Sequence, residues 1–127
     1  RIAHDELGRE DPRALYLAIE VARHQASGSP GEAAAQLEEV IAVAEAHDEP
    51  DSAALARFEL ARLRSAEAPA QARALAEAAQ RYWRERGPGR TVVAPFAQSA
   101  QERAADIEAW LAAQQTVGAP PAGPTDR

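Results

Sequence analysis

The side chains with which this chain could do chemistry are three histidines, twenty carboxylates, fourteen basic residues and a scatter of serines. His4, His24 and His47 are far apart, and none stands in a His-x-x-x-His spacing that would bring two imidazoles onto one helical face around a metal. His47-Asp48-Glu49 reads as a helix end, where an imidazolium suits the dipole and an acidic stretch before Pro50 suits a turn. Ser27, Ser29, Ser52, Ser65 and Ser99 lie in no nucleophile motif, and Gly87-Pro88-Gly89 is a turn signal and not a phosphate cradle. Cysteine is absent, which excludes disulfides, thiolate metal sites and a cysteine nucleophile. The expectation is a chain with no catalytic residue, no metal and no cofactor.

Composition narrows the remaining classes. Hydrophobic residues make up 46% of the chain and aromatics 5%, and alanine dominates the apolar set. Such a core brings helices close together but lacks the large walls of a deep ligand pocket. Alanine is also the strongest helix former, because it gives up no side-chain entropy. A formal charge of −6 repels phosphate backbones and anionic lipid surfaces, so neither nucleic acid nor membrane is an expected partner. All 14 basic residues are arginine, which with the alanine excess reads as the product of a GC-rich bacterial genome. No apolar run approaches the roughly 20 residues that span a bilayer, and the N-terminus is not a signal peptide. The cytoplasm is the default compartment. With no methionine at its start, the chain is open to being a fragment of something larger.

Punctuation along the 127 residues places five helical segments in one domain. Asp11-Pro12 opens the first, with Asp as cap and Pro in the first turn; Leu15, Ala18, Ile19, Ala22 and Ala26 line one face up to Ser27-Gly28. Ser29-Pro30 opens a second carrying Ala33, Leu37, Val40, Ile41 and Ala44. The linking turn is short, which folds the pair back as an antiparallel hairpin over about residues 12–47. Asp51-Ser52 is expected to cap a third helix with Ala54, Leu55, Phe58, Ala61 and Leu63. Pro69 opens a fourth with Ala72, Ala76, Ala79 and Trp83, completing a hairpin over about 51–86. A closing helix is expected over about 97–115, with Ala100, Ala104, Ile107, Trp110 and Leu111 on one face. Its Trp110 is expected against the fourth helix near Trp83, the alternative being an aromatic left exposed for a partner. Gly87 to Pro95 reads as a loop with a short apolar stretch, Thr91-Val92-Val93. The Pro/Gly/Ala-rich tail, 116–127, is expected to be disordered.

The two hairpins repeat each other. A gapless shift of 39 residues lays Ile19-Glu20-Val21-Ala22-Arg23 on Phe58-Glu59-Leu60-Ala61-Arg62, and matches Pro30 with Pro69, Ala33 with Ala72, Ala35 with Ala74 and Glu38 with Glu77. A hairpin recurring at such a period marks a solenoid, in which each unit buries its apolar face against its neighbours and the last helix caps the stack.

With Ala22 and Ala61 in the small position of each first helix, and Ala33 and Ala72 in that of each second, the units resemble tetratricopeptide repeats. More narrowly, Ala56-Arg57-Phe58-Glu59-Leu60-Ala61-Arg62, Ala72-Arg73-Ala74-Leu75-Ala76-Glu77 and Asp106-Ile107-Glu108-Ala109-Trp110-Leu111 look like the closing repeats of arrays attached to large bacterial serine/threonine kinases and related signalling proteins. The resemblance covers about residues 12–115. The spacing of 39 departs from the usual period of about 34, and Gln25 and Arg64 stand where the repeat commonly has an aromatic. No kinase motif is present, so the resemblance implies an accessory region and not the enzyme.

Tetratricopeptide arrays bind along the concave face of successive first helices. On that face the resemblance puts Tyr16, Ile19, Arg23 and Ala26 in one unit and Leu55, Phe58, Arg62 and Ser65 in the other. Arg23 and Arg62, at equivalent places on neighbouring helices, would hold a carboxylate or acidic peptide segment, with Ile19 and Phe58 in apolar contact. The competing reading pairs Glu20 with Arg23 and Glu59 with Arg62 on a merely solvated face.

The reading is an all-α, tetratricopeptide-like chain of two antiparallel helical hairpins and a C-terminal capping helix. It would serve as a scaffold or adaptor for a protein or peptide segment, with Tyr16, Ile19, Arg23, Leu55, Phe58 and Arg62 as contact residues and self-association left open. Its rivals are a helical spacer or oligomerisation element, and a small helical ligand sensor or enzyme.

Overall fold

A computed structural model describes residues 11–86 and 100–118, with side chains described through Gln114. The described residues are all-helical: α1 is Pro12–Gln25, α2 Pro30–Ala46, α3 Pro50–Arg64, α4 Pro69–Arg86 and α5 Ala100–Gly118. Four of these begin on proline, whose missing N–H costs nothing in a first turn and whose fixed φ suits a helix. Each helix packs on the next in chain order, giving two antiparallel hairpins and a closing helix. The expected N-terminal histidine His4, the loop Gly87 to Pro95 and the start of the closing helix at 97–99 lie outside the described residues. So does the tail beyond 118; residues 116–118, expected in that tail, continue α5 instead, because the helix-forming run Ala112-Ala113-Gln114-Gln115 carries the backbone on to Gly118.

The ends follow local chemistry. Asp11 caps α1 by accepting the Arg13 amide at 2.8 Å. At the turn between α2 and α3, Asp48 adopts φ 57°, the left-handed conformation that Asp tolerates and that ends α2. The helix then restarts at Pro50, one residue before the expected cap, with Glu49 in the capping position. Asp51 is therefore not a cap. It lies in the first turn of α3 with 7% exposure, where Arg86 of α4 donates to its two oxygens from Nε at 2.8 Å and Nη2 at 3.2 Å, and the Tyr82 hydroxyl also donates to it. This fork fastens the start of α3 to the end of α4.

The core is two clusters that share α3. The first joins Leu15, Ile19 and Ala22 of α1 to Ala33, Leu37, Val40 and Ala44 of α2 and Ala53, Ala56 and Leu60 of α3. The second joins Ala54 and Ala61 of α3 to Ala72, Ala76, Ala79 and Trp83 of α4 and Ala100, Ala104 and Ile107 of α5. A single apolar stripe was expected on α3, but it is buried on two sides. Ala53, Ala56 and Leu60 fill its second face, while Leu55, Phe58 and Leu63 are only half-buried. Trp110 packs against the second cluster, which contains Trp83, and also meets Phe58 of α3 edge-on, ring centroids 5.6 Å apart. The closing helix holds to α4 through Ile107 and Ala104 beside Trp83, and through an Arg84–Glu108 pair at 3.3 Å. Arg103 covers the Trp83 ring at 5.5 Å.

Replacing Asp51 with alanine leaves Arg86 and the Tyr82 hydroxyl without their carboxylate. We expect a loss of about 2 kcal/mol, a fall in Tm of roughly 10 °C, by thermal denaturation.

Candidate functional site

The surface that brings sequence-expected residues together is an open cleft of about 390 Å³ between the C-terminal halves of α1 and α3. Arg23, His24 and Ala26 line one wall, Glu59, Arg62 and Leu63 the other, with Ala22 and Leu37 beneath. The helical period accounts for this: Arg23 follows the buried Ala22 and Arg62 the buried Ala61, so each guanidinium leaves its helix at the rim of a close-packed seam.

The two guanidinium groups already bracket a carboxylate, and it is the chain's own. Arg23 Nε is 3.8 Å from Glu59 Oε1, and Arg62 Nη1 is 3.7 Å from Glu59 Oε2. These are ion pairs beyond hydrogen-bond distance. Arg23 makes its close hydrogen bond to Glu20 at 2.8 Å, and Arg62 stands over the Phe58 ring at 5.8 Å. Both arginine side chains remain about half exposed, 47% and 51%, while Glu59 is down to 19%. Burial pushes the Glu59 carboxyl above its usual range, outweighing the pull of Arg62 and Arg23 in the other direction, and Glu20 adds to the rise. The expected solvated pairs Glu20–Arg23 and Glu59–Arg62 are thus present, but Glu59 is shared across helices and sits largely out of water.

The other expected contact residues are placed elsewhere. Ile19 is 2% exposed and belongs to the first core cluster, so it offers no surface to a partner; its position on α1 faces α2 and α3 at once. Leu55 is half-buried and bridges the two clusters, and Phe58 is covered in part by Trp110. Tyr16 interacts with Glu20, and burial together with that carboxylate pushes its hydroxyl up to about 12. Ser65 donates its hydroxyl to the Arg62 carbonyl at 3.2 Å at the end of α3. Ala26 does line the cleft. Sequence reasoning passed over Glu59 as a shared carboxylate, and His24, Leu37 and Leu63 as lining. The signal for Glu59 was its recurrence with Glu20 one repeat apart, which places both beside the arginine pair.

His24 contacts the Glu20 carbonyl through Nδ1 at 2.8 Å, and His47 is exposed at the end of α2. Among the described residues, no group of three or more His, Asp or Glu is placed to hold a metal ion. No described helix is long and apolar enough to cross a membrane. No protein-family model, curated protein or solved structure matches this chain.

Two measurements test these electrostatics. Because the folded state holds a proton on Glu59 more tightly than the unfolded chain does, its ionised form opposes folding near neutral pH, and that penalty fades as the pH falls through the raised folded value. Glu59→Gln is expected to raise Tm by a few degrees at pH 7 and to lose that advantage toward pH 4; a lower Tm at pH 7 contradicts the account. The chain's two tyrosines, Tyr16 and Tyr82, are both pushed up to about 12, each by burial first and a carboxylate neighbour second. Their contribution to stability is complete below the unfolded value of about 10 and is lost as pH climbs toward 12. Phenolate absorbance of the folded protein should stay flat through pH 10, whereas the denatured chain titrates there.

Proposed function

We propose that this chain is a non-catalytic, tetratricopeptide-like module of protein–protein interaction, a scaffold or adaptor that captures a segment of another protein in the cleft between α1 and α3. The observation that carries this reading is the open cleft itself, rimmed by two half-exposed arginines at equivalent places on successive first helices. Its lining sets two arginines beside one glutamate, in a chain whose formal charge is −6. Each guanidinium carries five N–H donors, and the contacts to Glu59 are too long to engage them as hydrogen bonds, so an incoming carboxylate has donors to meet. The half-buried Leu63 provides apolar contact for a neighbouring aliphatic side chain. The ligand class is therefore an acidic peptide segment with an aliphatic neighbour. In the same reading the chain is an accessory part of a signalling protein, as the repeat resemblance implies, with the chemistry residing elsewhere.

Panning a displayed random-peptide library on the full chain is expected to enrich sequences that place Asp or Glu beside an aliphatic residue. Enriched peptides should lose about tenfold in affinity, ~1.4 kcal/mol, against Arg62→Ala, and weaken as salt is added. A library that enriches nothing, or peptides that bind the Arg23→Ala/Arg62→Ala double variant equally well, overturns the proposal.

A further inference from the structure

The charges at the cleft between α1 and α3 are balanced before any ligand arrives. Arg23 and Arg62 stand against Glu20 and Glu59, two guanidiniums against two carboxylates, so with all four ionised the cluster is neutral. Among the described residues His24 is the remaining titratable group of the lining, and α2, α4 and α5 bring no charged residue to it. The charged groups with which those helices reach α3 act elsewhere: Glu38 and Glu45 of α2 on Arg64 and Arg57, and Arg86 of α4 and Arg103 of α5 on Asp51.

The two carboxylates are held differently. Burial raises Glu20, but hydrogen bonds from the Tyr16 hydroxyl and from Arg23, the latter at 2.8 Å, outweigh it and keep that carboxyl below its usual range. Glu59 has ion pairs of 3.8 and 3.7 Å in place of hydrogen bonds, in a seam that is largely out of water. An acceptor that hydrogen-bonds both guanidiniums lies about 3 Å from each, and so within roughly 7 Å of the Glu59 oxygens. There two carboxylates oppose each other's ionisation. A proton on Glu59 removes the conflict. The cluster is then left with one net positive charge, the amount that one incoming carboxylate neutralises, and the Glu59 hydroxyl becomes a donor toward it.

We propose, building on the peptide cleft, that Glu59 is the resident occupant of the two-arginine site and that an acidic segment enters as Glu59 takes up a proton from solvent. The segment keeps its own carboxylate ionised, and one proton is bound for each carboxylate captured. Capture is therefore tighter in mildly acidic solution than at neutral pH. The gain reaches about tenfold per pH unit while Glu59 is ionised in the free chain and protonated in the complex, and it levels off below the pH at which the free chain has already taken the proton. The same charge count narrows the ligand class to segments that present a single carboxylate to the arginine pair, since a second would meet no balancing charge.

The test uses the full chain with methanesulfonate as probe, a singly charged anion that does not titrate between pH 5.5 and 8. At constant ionic strength, the Cζ resonances of Arg23 and Arg62 report its binding. The parent is expected to bind at least ~10-fold more tightly at pH 5.5 than at pH 8. Glu59→Gln should bind at pH 8 as the parent does at pH 5.5 and lose the pH dependence, whereas His24→Gln should keep it; a histidine gains charge in the same range, which makes that variant the necessary control. Melting curves of the variants confirm that each is folded. A pH dependence that survives in Glu59→Gln and disappears in His24→Gln overturns the proposal. Equal affinity of the parent at both pH values, with Arg62→Ala abolishing binding, overturns the proton coupling and leaves the peptide cleft standing. If neither arginine responds in any variant at either pH, the coupling and the cleft fall together.

Discussion

The rest of this structure depends on α3 being buried on two sides at once. A helix in that position cannot carry large side chains all round without forcing its neighbours apart, and helix axes must come within about 8–10 Å to exclude water between them. Ala53 and Ala56 meet the demand toward α1 and α2, and Ala54 and Ala61 meet it toward α4 and α5. Larger residues then enter where space remains, Leu37 beneath one seam and Trp83 beneath the other. The alanine content that makes the sequence look unspecific is thus the condition for stacking hairpins this closely. It also explains the shallow surface: close-packed helices with few aromatics leave clefts at their rims and not chambers between them.

Electrostatics follow from the same packing. When two helices close on small residues, the charged groups bordering the seam are brought together and partly dried. Glu59 ends between Arg23 and Arg62 in this way, and Asp51 ends beneath Arg86 and Tyr82. The two carboxylates have different consequences. Asp51 receives a bidentate hydrogen-bonded partner and works as a fastening between elements. Glu59 has two partners at longer range and less water, so its charge is tolerated more than welcomed, and the arginines keep donors for another acceptor.

Closure of the stack at its two ends is asymmetric. Toward the C-terminal side α5 covers the second cluster with Ala100, Ala104 and Ile107 and turns exposed Glu102, Asp106 and Glu108 away from it. At the N-terminal end α1 shows Leu17 and Val21 instead, so the outer face of the first helix has the character of an interior one.

Much of this was legible along the chain. The prolines and the Asp11 cap marked the helix starts, the three- and four-residue spacing of Leu15, Ile19, Ala22, Ala72, Ala76, Ala79 and Trp83 named faces that are indeed buried, and the internal repeat predicted two equivalent hairpins. These are local properties, decided by backbone sterics and by a period that every helix shares. What only the tertiary structure decided is which polar and apolar groups meet across helices. Ile19 became core and not contact, Asp51 became a cross-helix anchor and not a cap, Trp110 found Phe58 as its ring partner, and the carboxylate between Arg23 and Arg62 proved to be Glu59. Periodicity fixes the angle at which a side chain leaves its own helix, but the distance to a group on another helix depends on how closely the two axes approach, and that is set by the packed core as a whole.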